Sequence, residues 1–453
     1  MKKITMSAVA LTAIMGSFSS VSAADGINIL DDLKLDAQIR PRYEMVDDGN
    51  TNTENANAIT VRTKLKVTGN LLDVDGLSAS VGIISVNNFG SNQYNWKYID
   101  DAGIHKTTYD DGTKDYSVVV DPQQAMISNA EVNYKTGDTL LHAGRGQVNL
   151  DNQRFIGTVG WRQFERSYDS VFVANNSIKN LSVLAAWVYG FQGVFGGPTM
   201  DANTVLLHAA YTVSDALKIT AYDYMIAGQG DTFKVTDGGV GFDTYGIALT
   251  GNVKLDAVKL NYRAEYAIES DASMKIQETA TNADNFKRDA SYYNLDVGAN
   301  ISGILVGANY EFQSGTSLTD TKNKTFATPL GTNHKFNGWA DMFLNTPDGG
   351  LIDANVRLGY KAKGFGKLLA VYHEFTADKK MSSDGTTTAT TTSDDLGSEI
   401  DVVYVNKIPG VNGLTGLLKY ADYSKGKVNN GTQNYTKDTQ KFWAQLDYKF
   451  STK

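Results

Sequence analysis

Residues 258–270 read VKLNYRAEYAIES, and their side chains alternate between apolar and polar or charged. The apolar set is Val258, Leu260, Tyr262, Ala264, Tyr266 and Ile268, and the other set includes Lys259, Asn261, Arg263, Glu265 and Glu269. Successive side chains of a β-strand point to opposite faces, so a strand here has one apolar face and one charged face. The fold depends on which solvent each face meets.

The same two-residue alternation recurs along the chain, whereas apolar residues at helical spacing do not persist over three turns after the N-terminus. The alternation is clearest in residues 33–44, 59–67, 351–361 and 441–450. Short turns, such as 136–138 and 302–303, alternate with long polar connections, such as 89–123 and 314–350. Tight turns at one end and long loops at the other are typical of an outer-membrane barrel.

The number of strands follows from parity, because antiparallel strands must return to the side on which they start. Treating FNGWADMFLNT (336–346) as a strand breaks the alternation of long and short connections, and placing it in a long connection restores the alternation. The sequence therefore predicts an all-β, transmembrane antiparallel β-barrel of eighteen strands. In lipid, a closed barrel satisfies every backbone hydrogen bond and leaves no sheet edge.

A barrel of this width leaves a water-filled lumen. We expect only loops to narrow it, because the first predicted strand begins soon after the predicted cleavage site of an N-terminal signal peptide. Residues 89–123 and 148–166 are the candidates for this narrowing. Tyrosines near strand ends on the apolar face, among them Tyr43, Tyr266 and Tyr360, match the aromatic girdles of such barrels.

The N-terminus has the three parts of a secretory signal peptide: two lysines, an apolar run over residues 4–18, and a small-residue cleavage site that ends at Ala23. We predict cleavage after Ala23, so that residues 1–23 are the signal peptide and residues 24–453 form the barrel.

Composition excludes several classes of function. The chain has no cysteine, which excludes thiolate metal sites and disulfides, and its net charge of −8 argues against nucleic acid as a partner. The five histidines do not lie at metal-ligand spacing, and no local motif indicates a catalytic triad. We therefore expect no enzyme activity, no cofactor and no metal.

Basic side chains recur on the polar face that would line the lumen. They are Arg40, Arg42, Arg62, Lys64, Arg263 and Arg357, with Lys66, Lys259 and Lys361 on the same face. Guanidinium groups suit carboxylate and phosphate oxygens, so a ladder of them would draw anions through the pore. Alternatively, these cations pair with Glu44, Glu131, Glu265 and Asp353 as structural ladders across the strands, and both interpretations can hold together.

Two segments, GRGQVNLDNQRFIGTVGWRQFERSYDSVFV (144–173) and FNGWADMFLNTPDGGLIDANVRLGY (336–360), resemble the signature segments of outer-membrane porins related to the alginate-export family. The resemblance implies a monomeric barrel with an arginine-lined pore. It also implies that the constriction includes Arg145, Arg154, Arg162 and Arg166. The strand pattern by itself leaves the oligomeric state open between a monomer and a homotrimer.

The sequence thus predicts a porin in the outer membrane of a Gram-negative bacterium, surrounded by outer-membrane lipids. Its predicted function is passive diffusion of small hydrophilic solutes or ions, with a preference for anions. One alternative is a channel dedicated to an acidic polysaccharide or another specific substrate, and a second is a barrel that serves surface adhesion or structure.

Overall fold

The computed structural model describes residues 21–22, 28–91, 93–100, 103–106, 115–228, 241–274, 288–317, 320, 322–384, 391–429 and 434–452. Within these residues, eighteen long strands form one antiparallel sheet. They are β1 (Asn28–Asp47), β2 (Ala56–Leu71), β3 (Leu77–Asn88), β4 (Gln124–Thr136), β5 (Thr139–Gly146), β6 (Ser167–Asn175), β7 (Leu181–Gln192), β8 (Met200–Ser214), β9 (Leu217–Ala227), β10 (Gly241–Leu255), β11 (Val258–Asp271), β12 (Asp289–Ile301), β13 (Ile304–Gln313), β14 (Leu351–Ala362), β15 (Gly366–Ser382), β16 (Thr392–Lys407), β17 (Leu414–Lys425) and β18 (Thr439–Ser451).

The barrel closes between its first and last strands. β1 pairs with β2 on one side and with β18 on the other, so that Tyr43 has Ile59 and Ala444 as its cross-strand partners. Each remaining strand is hydrogen bonded to its neighbours in sequence. The prediction of a closed antiparallel barrel with eighteen strands is confirmed.

The connections alternate between the two ends of the barrel. At one end, β-hairpin turns of two to six residues join the strands. The tightest include Ser302 and Gly303, whose positive φ values of 51° and 98° are those of a two-residue type I′ turn. At the other end lie the longer connections, including residues 314–350, which contain the segment FNGWADMFLNT as predicted.

The two faces of each strand are inverted relative to a soluble sheet. On β11, Tyr266 and Ile268 are 52% and 40% exposed on the outer face, whereas Glu265 and Glu269 on the inner face are 4% and 2% exposed. Because apolar side chains cover the outside while charged side chains are buried inside, the outer face suits lipid and the inner face encloses a polar lumen. The apolar face of VKLNYRAEYAIES therefore faces outwards, and its charged face lines the lumen.

Smaller elements accompany the eighteen long strands. A two-residue strand, Val21–Ser22, lies beside β1, and a short hairpin of Lys97–Asp100 and Gly103–Lys106 lies in the connection after β3. Most of the predicted signal peptide falls outside the described residues, so its cleavage after Ala23 stays a prediction. Within the described part of the chain, no helix is long and apolar enough to cross a membrane.

Candidate functional site: a lumen crossed by two inward segments

Two long connections fold into the barrel rather than away from it. We call residues 147–166, between β5 and β6, the first inward segment. In this segment Arg162 donates to Glu44 of β1 over 3.1 Å, and Arg154 donates to Glu311 of β13 over 2.6 Å. Since β1 and β13 belong to different walls of the barrel, the first inward segment crosses the lumen.

We call the described residues of the connection 314–350, between β13 and β14, the second inward segment. Its backbone N–H groups at Trp339 and Ala340 donate to Asp401 and Glu399 of β16 over 3.1 and 2.7 Å. Gly338 fits this docking because a Cβ there would lie 2.4 Å from an oxygen of Glu399. The FNGWAD motif is therefore adapted to close contact with the carboxylates of the wall.

Four predicted cations, Arg40, Arg42, Arg62 and Lys64, come together on the inner face of β1 and β2. The first inward segment covers them. Arg40 donates to the Gln163 side chain over 2.9 Å, and Arg62 donates to Glu165 over 2.7 Å, which Lys64 also contacts. Burial raises the pKa of Glu165, but the charges of Arg62 and Lys64 outweigh burial and bring the pKa to about 2. Glu165 is therefore ionised at ordinary pH and holds the segment against this wall.

Asp341 of the second inward segment joins the two segments to the wall. Its carboxylate accepts hydrogen bonds from His334 Nδ1 and Arg162 over 2.5 Å each, and from Lys441 of β18 over 3.1 Å. Burial raises the pKa of Asp341, but the hydrogen bond from His334 and the charges of Lys441 and Arg162 outweigh burial and hold the pKa well below its ordinary value. Because Arg162 also bonds Glu44, one chain of ion pairs connects β1, both segments and β18.

A buried lysine lies at the centre of this region. Lys419 Nζ of β17 lies 4.1, 4.0 and 5.2 Å from the ring centres of Trp161, Trp339 and Trp443, and 2.7 Å from His334 Nε2. Trp161 also stacks on His334, with ring centres 4.8 Å apart. Burial lowers the pKa of His334 well below its ordinary value. A neutral His334 therefore donates from Nδ1 to Asp341 and accepts from Lys419 at Nε2.

Among the other predicted residues, Arg154 and Arg166 lie buried in the first inward segment, where Arg166 donates to the Pro329 carbonyl over 2.9 Å. Arg263 and Arg357 lie on the lumen wall and pair with Glu265 and Asp296, over 2.7 and 2.6 Å. With Lys66 on Glu131, most predicted cations have a carboxylate partner, as the structural alternative anticipates.

The structure places Arg145 on the outer face of the barrel, opposite to the expectation. Its cross-strand partners are Ala130 and Asp169, and it makes two 2.6 Å contacts with the carboxylate of Asp169. The neighbouring residue Gly146 faces Glu131 on the lumen side. In a strand the face alternates at each residue, so Arg145 points outwards, where it holds the connection after β7 through Thr199.

The sequence identified only part of this site. Residues 148–166 enter the lumen as expected, and the described end of 89–123 contributes Asp121, which accepts from Thr60. The second inward segment was not among the candidates, although its tryptophan, glycine and histidine residues are unusual for a solvated loop. Among the described residues, no group of three or more His, Asp or Glu side chains is arranged to hold a metal ion.

Comparison with known proteins adds a fold-level result. No family model and no curated protein matches the chain. Solved structures do match: Pseudomonas aeruginosa OccK8 (OprE), with a TM-score of 0.62 and 13% identity, covers 94% of this chain and 100% of its own. Acinetobacter baumannii OccAB2 has a TM-score of 0.64 and 12% identity, and covers 94% of this chain and 99% of its own. The chain has an outer-membrane porin fold.

The porin fold also includes P. aeruginosa OpdK, solved with vanillate, at a TM-score of 0.61 and 12% identity over 94% of this chain and 100% of its own. These neighbours are Occ and Opd porins, which are channels, and not the alginate-export family that the two sequence segments resemble. At this level of identity the likeness shows the porin fold and does not extend to the narrower family.

Proposed function

We propose that this chain is a passive diffusion channel for small hydrophilic solutes, with a preference for anions, in the outer membrane of a Gram-negative bacterium. We further propose that the mature chain begins after Ala23. An apolar outer wall around a polar lumen supports the channel. Vanillate in the OpdK structure is consistent with small organic anions as solutes of this fold.

The preference for anions rests on one observation about the lumen ion pairs. In four of them the cation is more exposed than its carboxylate: 19% against 8% for Lys64–Glu165, 28% against 7% for Lys66–Glu131, 13% against 0% for Arg263–Glu265, and 27% against 19% for Arg357–Asp296. A solute in the lumen therefore meets the positive partner first. The pairs reduce the field without cancelling it, so the preference is modest.

The reversal potential of single channels in a KCl gradient tests this proposal. Replacing Lys66→Gln removes a half-buried cation of the lumen wall and leaves Glu131 without its cationic partner. A unit charge about 6 Å from a passing ion in water contributes roughly 0.7 kcal/mol, or about a threefold change in relative permeability. We expect chloride preference in the wild type and a loss of this preference in the variant.

Lys179→Gln is the matched control, because Lys179 is exposed in a short turn outside the lumen. It should leave the reversal potential unchanged. A wild-type channel that prefers potassium would contradict the proposed selectivity, and purified protein that forms no channels in planar bilayers would contradict the proposed function itself.

A channel dedicated to one substrate is the second candidate, because the two inward segments occupy the lumen. Adding uronic-acid oligomers to the bilayer chamber distinguishes the candidates: an acidic-polysaccharide channel would show saturable block of chloride conductance, and a general channel would not. Surface adhesion, the remaining alternative, stays a prediction from the sequence.

A further inference from the structure

One row of polar side chains runs across five neighbouring strands of the lumen wall. It consists of Arg263, Asp296, Asn309, Asn355 and His373, on β11 to β15, and each residue is the cross-strand partner of the next. We call this row the polar band. Neighbouring strands lie about 4.8 Å apart, so the polar band offers hydrogen-bonding groups at short, regular intervals.

The second inward segment faces the polar band and encloses a pocket of about 360 Å³. Two aromatic residues of this segment, Phe336 and Trp339, line the pocket together with Asn294 of β12. Lys419 lies 4.0 Å from the centre of the Trp339 ring, which fixes the ring in place. The pocket thus combines rigid aromatic surface on one side with amides and charges on the other.

The charged side chains of this pocket are paired with one another or with neighbouring residues. Its lining includes Arg263, Lys335 and Arg357 as cations, Asp296, Glu311 and Asp353 as carboxylates, and His373. Each carboxylate already has a partner: Asp296 has Arg357 at 2.6 Å, Glu311 has Arg154 at 2.6 Å, and Asp353 has His373 at 2.9 Å. Because these pairs satisfy the charges within the wall, the amides of the pocket remain to recognise a neutral solute.

Two amides of the pocket have hydrogen-bonding capacity to spare. Asn355 is 9% exposed, and its Oδ1 atom is buried without a partner, while its Nδ2 group donates to Asp353 over 3.3 Å. Asn294 is 6% exposed and makes no side-chain hydrogen bond to the residues that the structure describes. A buried amide oxygen without a donor is unfavourable, so a ligand hydroxyl that reaches it would gain this interaction.

We propose that this pocket binds a neutral ring that carries hydroxyl groups, such as a monosaccharide. Hydroxyl groups both donate and accept, and therefore match a row of amides and already paired carboxylates. The apolar face of such a ring packs against Phe336 or Trp339, as flat ligands commonly do on aromatic side chains. The inference rests on the proposed channel function only in that the solute reaches the pocket through the lumen.

Isothermal titration calorimetry on the full chain in detergent micelles tests the proposal, with D-glucose and the linear polyol mannitol as probes. We expect saturable binding of glucose and weaker binding of mannitol, which lacks a flat apolar face. Asn355→Ala and Asn294→Ala should each weaken glucose binding about three- to tenfold, the usual effect of one lost hydrogen bond. Two variants are used because either substitution alone could disturb the wall.

Asn261→Ala is the matched control, because Asn261 is exposed on the same face of β11, two residues before Arg263 and outside the pocket. It should bind glucose as the wild type does. The proposal is overturned if glucose gives no saturable heat, if mannitol binds as tightly as glucose, or if both pocket variants bind like the control.

Conductance measurements keep this test separate from that of the proposed function. If the protein forms chloride-conducting channels but does not bind glucose, the proposed sugar pocket is contradicted and the proposed channel function is not. If the protein binds glucose in micelles but forms no channels, the proposed sugar pocket is supported and the proposed channel function is contradicted.

Discussion

Replacing Asp341→Asn should release the second inward segment from the wall. Asp341 accepts from His334, Arg162 and Lys441, and its side chain is buried. Asparagine can still accept from His334 through its oxygen. However, its amide group presents hydrogens to Arg162 and Lys441, which are donors themselves, and the substitution removes the negative charge that these two cations share.

The size of the effect follows from burial. Removing one partner of a buried ion pair costs about 3–5 kcal/mol, because the remaining charges are left uncompensated. At 1.4 kcal/mol per factor of ten, this loss shifts the ratio of docked to released segment on the order of a hundredfold to several thousandfold. Since the segment occupies the lumen, its release should raise the single-channel conductance and admit larger neutral polymers.

The assay is single-channel conductance in planar bilayers at pH 7, combined with limited proteolysis of residues 314–350. Asp320→Asn is the control, because Asp320 lies in the same segment and its hydrogen bonds with Lys324 and Ser317 are local. The control should behave like the wild type. If D341N keeps wild-type conductance and protease resistance, the ion-pair chain does not hold the segment and the reasoning is refuted.

Further predictions concern the glycine, the buried carboxylate and the outer wall. Gly338→Ala should raise the conductance, because its Cβ would meet a carboxylate oxygen at 2.4 Å, whereas Gly364→Ala, with a similar φ of 80° and nothing within 4 Å, should only strain a turn. The pKa of Glu165 is lowered to about 2, so its ion pairs stabilise the docked segment by about 3 kcal/mol above pH 4.5, and this stabilisation is lost as pH falls towards 2. The single-channel conductance should therefore rise as the pH falls over this range. The Glu165→Gln variant should show the same raised conductance at pH 7. Leu295 lies on the outer face at 57% exposure, so Leu295→Arg should reduce the free energy of folding into lipid bilayers by about 2–4 kcal/mol. Asn261→Arg, in the lumen, should leave this free energy unchanged. Equal folding free energies for the two variants would contradict the lipid-facing wall.

Much of the fold could be predicted from local pattern. Alternation of the kind seen in VKLNYRAEYAIES assigns each side chain to a face, and the alternating connection lengths fix the parity of the strands. The site could be predicted less well. The strand pattern correctly placed Arg62 and Arg263 on the lumen face, but the resemblance placed Arg145 there as well, and the register of β5 turns it outwards.

The sequence by itself determined the closed barrel, its strand number and its apolar exterior, because these depend on the period of neighbouring residues and on the lengths between strands. Only the tertiary structure decided what occupies the lumen. The contacts of Asp341 with Lys441, and of Lys419 with Trp161 and Trp339, join residues far apart in the chain. Such contacts form when two connections fold back between distant walls of the barrel. The local periodicity of the sequence does not predict where a connection will pack.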